Sequence, residues 1–205
     1  HPRKAVQYLA ELVAAAMVDP ARVFGQHPVD RQQVLASLAD FDLAKVARGD
    51  EAGIPAARAK VVQRSIVATG LAAASADMLR SNSVLEHLPD VDAALAEWAR
   101  ITPSGGFGIH GIDVIDHRSY SQPAIHALEF LTVASKEPIV FESNRLRLHE
   151  FEARFARHGF EVLDQWRGPK IEIPDDLRRR MVDPWRTMPV EQLEYGWSQF
   201  LVRKK

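Results

Sequence analysis

Residues 75–116, SADMLRSNSVLEHLPDVDAALAEWARITPSGGFGIHGIDVID, read as strand, polar loop, helix, Gly-Gly turn and strand in one stretch. Residues 77–80 lead a short apolar strand into Ser81, Asn82 and Ser83. Val91, Leu95 and Trp98 then recur at helical spacing, Pro103 and Gly105-Gly106 end that helix, and residues 107–112 resume a strand. The result is an α/β half-unit whose polar side chains gather where two strands end. In open α/β sheets that carboxyl edge is where ligands bind.

Around this unit the pattern is helical first and mixed afterwards. Val6, Leu9, Leu12, Val13, Ala16 and Met17 form an apolar stripe that predicts a helix over residues 3–18. A second helix is expected over 29–47, with Val34, Leu35, Leu38, Phe41, Leu43 and Val46 inward. Gly53-Ile54-Pro55 breaks the helical region, and residues 60–67 have the β-branched density of a strand. Further on, 125–133 is an apolar, helix-like run, and 144–158 is a helix that Gly159 closes. Residues 160–166 and 195–203 are expected strands, separated by an inserted helix and loop over 174–194.

Composition narrows the class. With 205 residues, 46% of them hydrophobic and 26% charged, the chain is long enough for one substantial core, so we expect a single domain over 1–205. Within it, 1–53 would be a helical segment and 54–205 the α/β part. A formal net charge of −1 provides no global basic field for nucleic acid or an anionic membrane. The absence of cysteine excludes disulfides and thiolate chemistry and agrees with a cytoplasmic location. The run over 9–18 is too short to span a bilayer and lacks a signal peptide's layout.

Three phrases resemble the class I S-adenosylmethionine-dependent methyltransferases, in particular the type 11 group. "SNSVLEHLPD" is similar to the end of that family's fourth strand, "ARITPSGGFGIHGIDVIDH" to its helix, turn and fifth strand, and "NRLRLHEFEARFARHGFEVLDQW" to its later helix and sixth strand. The resemblance covers 54–205 and implies a Rossmann-like α/β fold with family strand order 3-2-1-4-5-7-6. It also implies methyl transfer from S-adenosylmethionine. The family's first strand ends in a turn of the type E-x-G-x-G. Here the glycines before Gly70 are the isolated Gly25, Gly49 and Gly53, so that turn is not visible. We therefore expect a sheet incomplete on its N-terminal side, with 60–67 pairing beside 77–80 or against a second chain.

Two clusters carry the chemistry in this reading. Glu86-His87 lies at the carboxyl edge, where an imidazole can serve as general base; relatives that place E-x-x-E-H there bind a metal, but here Ser83 replaces the first Glu. His110, Asp113, Asp116 and His117 form the densest group of potential ligands, and their spacing matches no strong metal signature. The expected catalytic base is His87 or His110. Asp113, Asp116, His117, Asn144 and Arg145 would orient substrate, and Ser81, Asn82 and Ser83 would line the cofactor side, with no metal. The acceptor is expected to be an oxygen, or a nitrogen, of a small molecule or glycan, with neither nucleic acid nor membrane as partner and with a homo-oligomer or second chain completing the sheet. The alternative is a degenerate methyltransferase-like binding or scaffolding subunit without cofactor.

Overall fold

In the computed structural model the described residues are 30–57, 60 and 62–205, together with 6, 11, 14, 15, 18 and 19. They divide into two compact units, 1–64 and 65–205. The helix expected over 3–18 lies largely outside the described residues.

The first unit replaces the single helix expected over 29–47 with two short ones, α1 (Arg31–Leu38) and α2 (Leu43–Ala47). Two aspartates set their starts. Asp30 accepts from the backbone N–H groups of Gln32 and Gln33, and Asp42 accepts from that of Lys45. An Asp at position 42 therefore begins a new helix rather than continuing the old one. Val6, Val46 and Ile54 are buried together with Phe41 against them.

The second unit is built on a four-stranded sheet: β1 (Met78–Asn82), β2 (Phe107–Asp113), β3 (Phe160–Arg167) and β4 (Trp197–Lys204). Their spatial order is β1-β2-β4-β3; β1 and β2 are parallel, and β4 runs antiparallel to both its neighbours. This is the 4-5-7-6 half of the order implied by the resemblance. Helices α3 (Val91–Ile101) and α4 (Leu148–Arg157) pack on the sheet. They bury Leu95, Trp98, Phe151 and Phe155 against Ile112, Phe160, Phe200 and Val202. Each such large apolar side chain contributes about 1.5–3 kcal/mol when fully buried. Asp92 of α3 meets Arg154 of α4 and His158 just beyond it, which ties the two helices together. Gly159, at φ +80°, turns α4 into β3 in a conformation that costs other residues a steric clash.

The remaining segments correct several sequence expectations. Residues 60–67 form no strand among the described residues; Ser65 and Ala68 make an isolated bridge, and Val62 and Val67 are 49% and 42% exposed. β-branched residues make a strand only where a neighbour takes up their backbone groups, and here β1 pairs with β2 alone among the described residues. Instead, the segment that follows is docked by side chains. Glu97 accepts from the backbone N–H and hydroxyl of Thr69, while Arg100 donates to the Leu71 carbonyl. The run 125–133 contains a 3-10 turn, Glu129–Thr132, rather than a helix. It buries Leu128, Phe130 and Leu131 with Leu177, Met181 and Leu193 of the inserted segment, which includes helix α5 (Asp175–Arg180).

Candidate functional site

Beyond β1 the chain takes a positive φ of 49° at Ser83 and enters a 3-10 turn, Leu85–His87. Beyond β2 it enters a second one, His117–Tyr120, capped by Asp116. Because β1 and β2 are adjacent and parallel, both turns lie at the same carboxyl edge, and they bring Glu86, His87, Asp113, His117 and Tyr120 together.

The geometry of this cluster is specific. Glu86 is fully buried; its Oε1 accepts from the Asp113 N–H at 3.2 Å, and its Oε2 has no hydrogen-bond partner. Burial, the largest influence, raises its carboxyl pKa above the ordinary range. His87 holds Nδ1 2.5 Å from the Glu142 carbonyl oxygen, so Nδ1 carries the proton and Nε2 keeps its lone pair. Its ring meets that of His117 edge-on at 4.9 Å. His117 Nε2 is buried without a hydrogen bond and lies 3.7 Å from Asp113 Oδ2, to which the Tyr120 hydroxyl donates. Burial, with the bond to Asp113 second, raises the Tyr120 pKa, so the phenol stays protonated. A groove of about 350 Å³ opens on His117, lined also by Arg118, Ser121, Phe141 and Glu142. Phe141 and Glu142 both have positive φ, 49° and 67°, the kind of backbone strain that collects at functional sites.

The other residues expected at the site have different places. His110 is in the core, 1% exposed, stacked between Trp98 at 4.5 Å and Phe155 at 5.4 Å. Its Nδ1 pairs with Ser81 Oγ at 2.9 Å, so Ser81 also points inward, whereas Asn82 and Ser83 are exposed. The ring leans over Gly108, where a Cβ would collide with Nε2. Burial pulls its pKa down to about 4. Strand alternation is the cause, since Ser81 and His110 are register partners facing the helices. Asp116 is fully buried; it caps the second turn and binds Arg118 through both carboxylate oxygens.

Asn144 and Arg145 are clamps on the backbone. Arg145 donates to the carbonyls of Val133 and Ser135 and stacks over Trp185 at 4.6 Å, reaching neither Asp113 nor Asp116. Asn144 precedes α4 by several residues. Its Nδ2 donates to the carbonyls of Leu85 and Leu88, and its backbone N–H to that of Glu86, so it holds the turn that presents Glu86 and His87. Asn144→Ala is expected to cost about 1–2 kcal/mol through the two carbonyls left unpaired. Amide exchange should quicken at His87 and Leu88, measured by hydrogen-exchange mass spectrometry beside urea denaturation. Unchanged exchange there would remove this role. Sequence reasoning assigned no role to Arg147, the residue that holds this edge together from beneath; its signal was present only as the Asn-Arg-Leu-Arg phrase.

The described glycines before β1 are placed where they cannot cradle a methyl donor. Gly49 follows α2, and Gly53 packs so closely on Asp42, Lys45 and Val46 that a Cβ would clash with them. Gly70 has open space around it but follows no strand. The described residues therefore do not form the glycine-rich turn expected after a first strand.

Comparison with known proteins places these features. Residues 21–109 match the family model of a methyltransferase domain. No curated protein matches the chain. Among solved structures, a geranyl diphosphate methyltransferase in complex with GPP and sinefungin superposes with a TM-score of 0.50 at 16% identity, over 80% of this chain and 60% of that one. A putative sarcosine dimethylglycine methyltransferase from Galdieria sulphuraria gives 0.48 at 16% identity, over 77% and 65%. The [4+2]-cyclase SpnF gives 0.47 at 14% identity, over 97% and 80%. The chain thus spans 60% of the length of the geranyl diphosphate methyltransferase and 65% of that of the sarcosine dimethylglycine enzyme. The likeness to the geranyl diphosphate methyltransferase is one of fold, the Rossmann-like α/β fold, of which the sheet here is a small version.

Proposed function

We propose that this chain belongs to the class I S-adenosylmethionine-dependent methyltransferase family, whose domain model matches residues 21–109, and takes part in methyl transfer to an oxygen, or to a nitrogen, of a small molecule or glycan. The observation that carries this reading is the convergence of Glu86, His87, Asp113, His117 and Tyr120 at the carboxyl edge of two adjacent parallel strands. S-adenosylmethionine supplies a methyl group on a positively charged sulfur, and its displacement needs an oriented acceptor that loses a proton more than it needs covalent catalysis.

The acceptor sits in the groove beside His117, and its proton goes to the exposed side of the cluster. His87 suits that task because its Nδ1 is committed to the Glu142 carbonyl and its Nε2 is not. His110 does not suit it, because its ring is enclosed by Trp98 and Phe155. Asp113, with Tyr120, orients His117.

A labelled-methyl assay tests the reading: saturating S-adenosylmethionine with a panel of hydroxylated small molecules and glycans, for the chain and for His87→Gln. Label should enter an acceptor, and the variant should lose about 100-fold or more of the rate, the usual scale for a positioned base. An equal rate in the variant would remove His87 from the chemistry. The lack of a glycine cradle among the described residues favours a second reading, a methyltransferase-like binding or scaffolding subunit without cofactor. That reading predicts acceptor binding by calorimetry with no label transferred.

A further inference from the structure

We infer that the cleft between residues 134–136 and 182–185 binds a small organic oxyanion, a carboxylate or phosphate group carried on an apolar or aromatic body. The cleft holds about 540 Å³, within the range of small-molecule sites, and Arg145 lies on its wall. None of Glu86, His87, Asp113, His117 or Tyr120 lines it, so it is a second place on the molecule and owes nothing to the methyl-transfer reading.

Charge is the first reason. Arg145 is only 6% exposed, yet among the described residues it makes no ion pair. Its guanidinium donates to two neutral carbonyls, those of Val133 at 2.7 Å and Ser135 at 3.1 Å. Burial lowers its pKa from the ordinary value and no carboxylate acts against that, but a guanidinium still keeps its proton at neutral pH. A buried cation with neutral partners alone is costly, and an anion drawn into the cleft relieves the cost. The two carbonyls engage two of the five N–H groups, so donors remain for an oxyanion.

The neighbours strengthen the same preference. Lys136 lines the cleft, is exposed, and has no side-chain hydrogen bond or ion pair among the described residues. Ser135 Oγ accepts from the Glu137 N–H at 3.1 Å, which leaves its own proton to donate. Asp183 is the carboxylate on the cleft, and Arg186 neutralises it at 2.6 Å. Two positive charges, on Lys136 and Arg145, are therefore left without a counter-charge from the cleft itself.

Shape supplies the second reason. Ala134, Val182, Pro184 and Trp185 form an apolar wall opposite these cations. The Arg145 guanidinium lies 4.6 Å from the centre of the Trp185 ring, so the cation and the indole hold each other in place before any ligand arrives. A bare inorganic ion gains nothing from that wall, whereas an anion with an apolar body buries surface against it. The sequence hides the set because Lys136, Arg145 and Trp185 come from three separate segments, the last within the insertion between β3 and β4.

Calorimetry of the whole chain, with no methyl donor present, tests the site with phenyl phosphate, benzoate and inorganic phosphate as probes. Phenyl phosphate or benzoate should bind saturably with one equivalent per chain, more tightly than inorganic phosphate and more weakly as salt rises; the tighter of the two organic probes identifies the anionic group. Lys136→Glu reverses a charge on which no contact of the fold depends, and it should weaken binding about tenfold or more, the scale of one charge-assisted contact. Arg145→Gln should weaken it at least as much. Arg203→Gln, which removes a cation paired with Glu161 on the sheet, should bind as the parent does. Absence of saturable binding of both organic probes overturns the site, as does equal affinity in Lys136→Glu, and inorganic phosphate binding as tightly as phenyl phosphate removes the apolar wall from it. Should Arg145→Gln misfold through the loss of its two carbonyl bonds, Lys136→Glu decides the matter alone.

Discussion

Arg147→Ala is expected to lower the stability of the second unit by about 3 kcal/mol, because it leaves two buried carbonyls and one partly buried carbonyl without a donor at about 1–3 kcal/mol each. The guanidinium is fully buried. It donates to the carbonyl of Val114 at 2.5 Å, just past β2, and to those of Leu193 and Tyr195 at 3.2 Å, just before β4. From its position at the start of α4 it thus joins three segments at the carboxyl edge. Burial pushes its pKa down to about 10, yet it stays charged at neutral pH, so part of the loss is offset when that buried charge is removed. Arg147→Met separates the two contributions: it also removes the charge while filling more of the space, and it still orphans the carbonyls. Arg147→Lys keeps the charge but lacks the planar fork that serves carbonyls in different directions. Urea denaturation of the four proteins should rank the parent first, with all three variants clearly below it. Parent-like stability in Arg147→Met would show that the carbonyls find other partners and that the clamp is dispensable.

The strands and helices of the second unit were legible because each carries a local pattern that its partners reinforce. Val91, Leu95 and Trp98 lie at helical spacing and are buried in α3; Gly159 marks the end of α4 and has the conformation such an end requires. The bounds shifted where side chains decided them. Asp42 begins a helix in mid-pattern, and Ser81 and Asn82 belong to β1 rather than to the loop after it. Residues 60–67 misled because β-branched density reports what a strand prefers but not whether a neighbour exists to pair with it.

The site was legible as a place and less so as a set of residues. Glu86 and His87 stand where the carboxyl-edge rule puts ligand-binding residues, and His117 joins them. Asp116, Asn144 and Arg145 are polar groups of the same kind, but Asp116 binds Arg118 while Asn144 and Arg145 bind backbone carbonyls, and nothing in their spacing separates bracing from recognition. His110 shows the limit most plainly. Its sequence neighbours suggest a ligand cluster, while strand parity turns it to the opposite side, against two aromatic rings.

That placement makes His110 a source of acid sensitivity rather than a catalytic base. Its folded pKa of about 4 lies below the unfolded value of about 6.5, so as pH falls the unfolded chain takes up the proton first. The stability it contributes is complete above about pH 6.5 and is lost progressively down to about pH 4, by up to roughly 3 kcal/mol at 1.36 kcal/mol per pH unit. Burial is the cause of the shift, and among the described residues the ring meets Ser81, Trp98 and Phe155 and lies over Gly108. Glu86 works in the opposite sense. Its raised folded pKa gives stability that is present at low pH and lost as pH rises through that value, so the whole-protein profile mixes the two. The comparison that isolates the histidine is with His110→Gln, which does not titrate and can still hydrogen-bond to Ser81. Urea midpoints between pH 7 and pH 4 should fall steeply for the parent and less steeply for the variant, with the difference confined to that window. Parallel profiles would mean that the ring is protonated in the folded protein, and that water reaches it between Trp98 and Phe155. On the methyl-transfer reading proposed above, a neutral, enclosed His110 would leave proton transfer to His87 and His117, the two imidazoles that the parallel strands carry to their carboxyl ends.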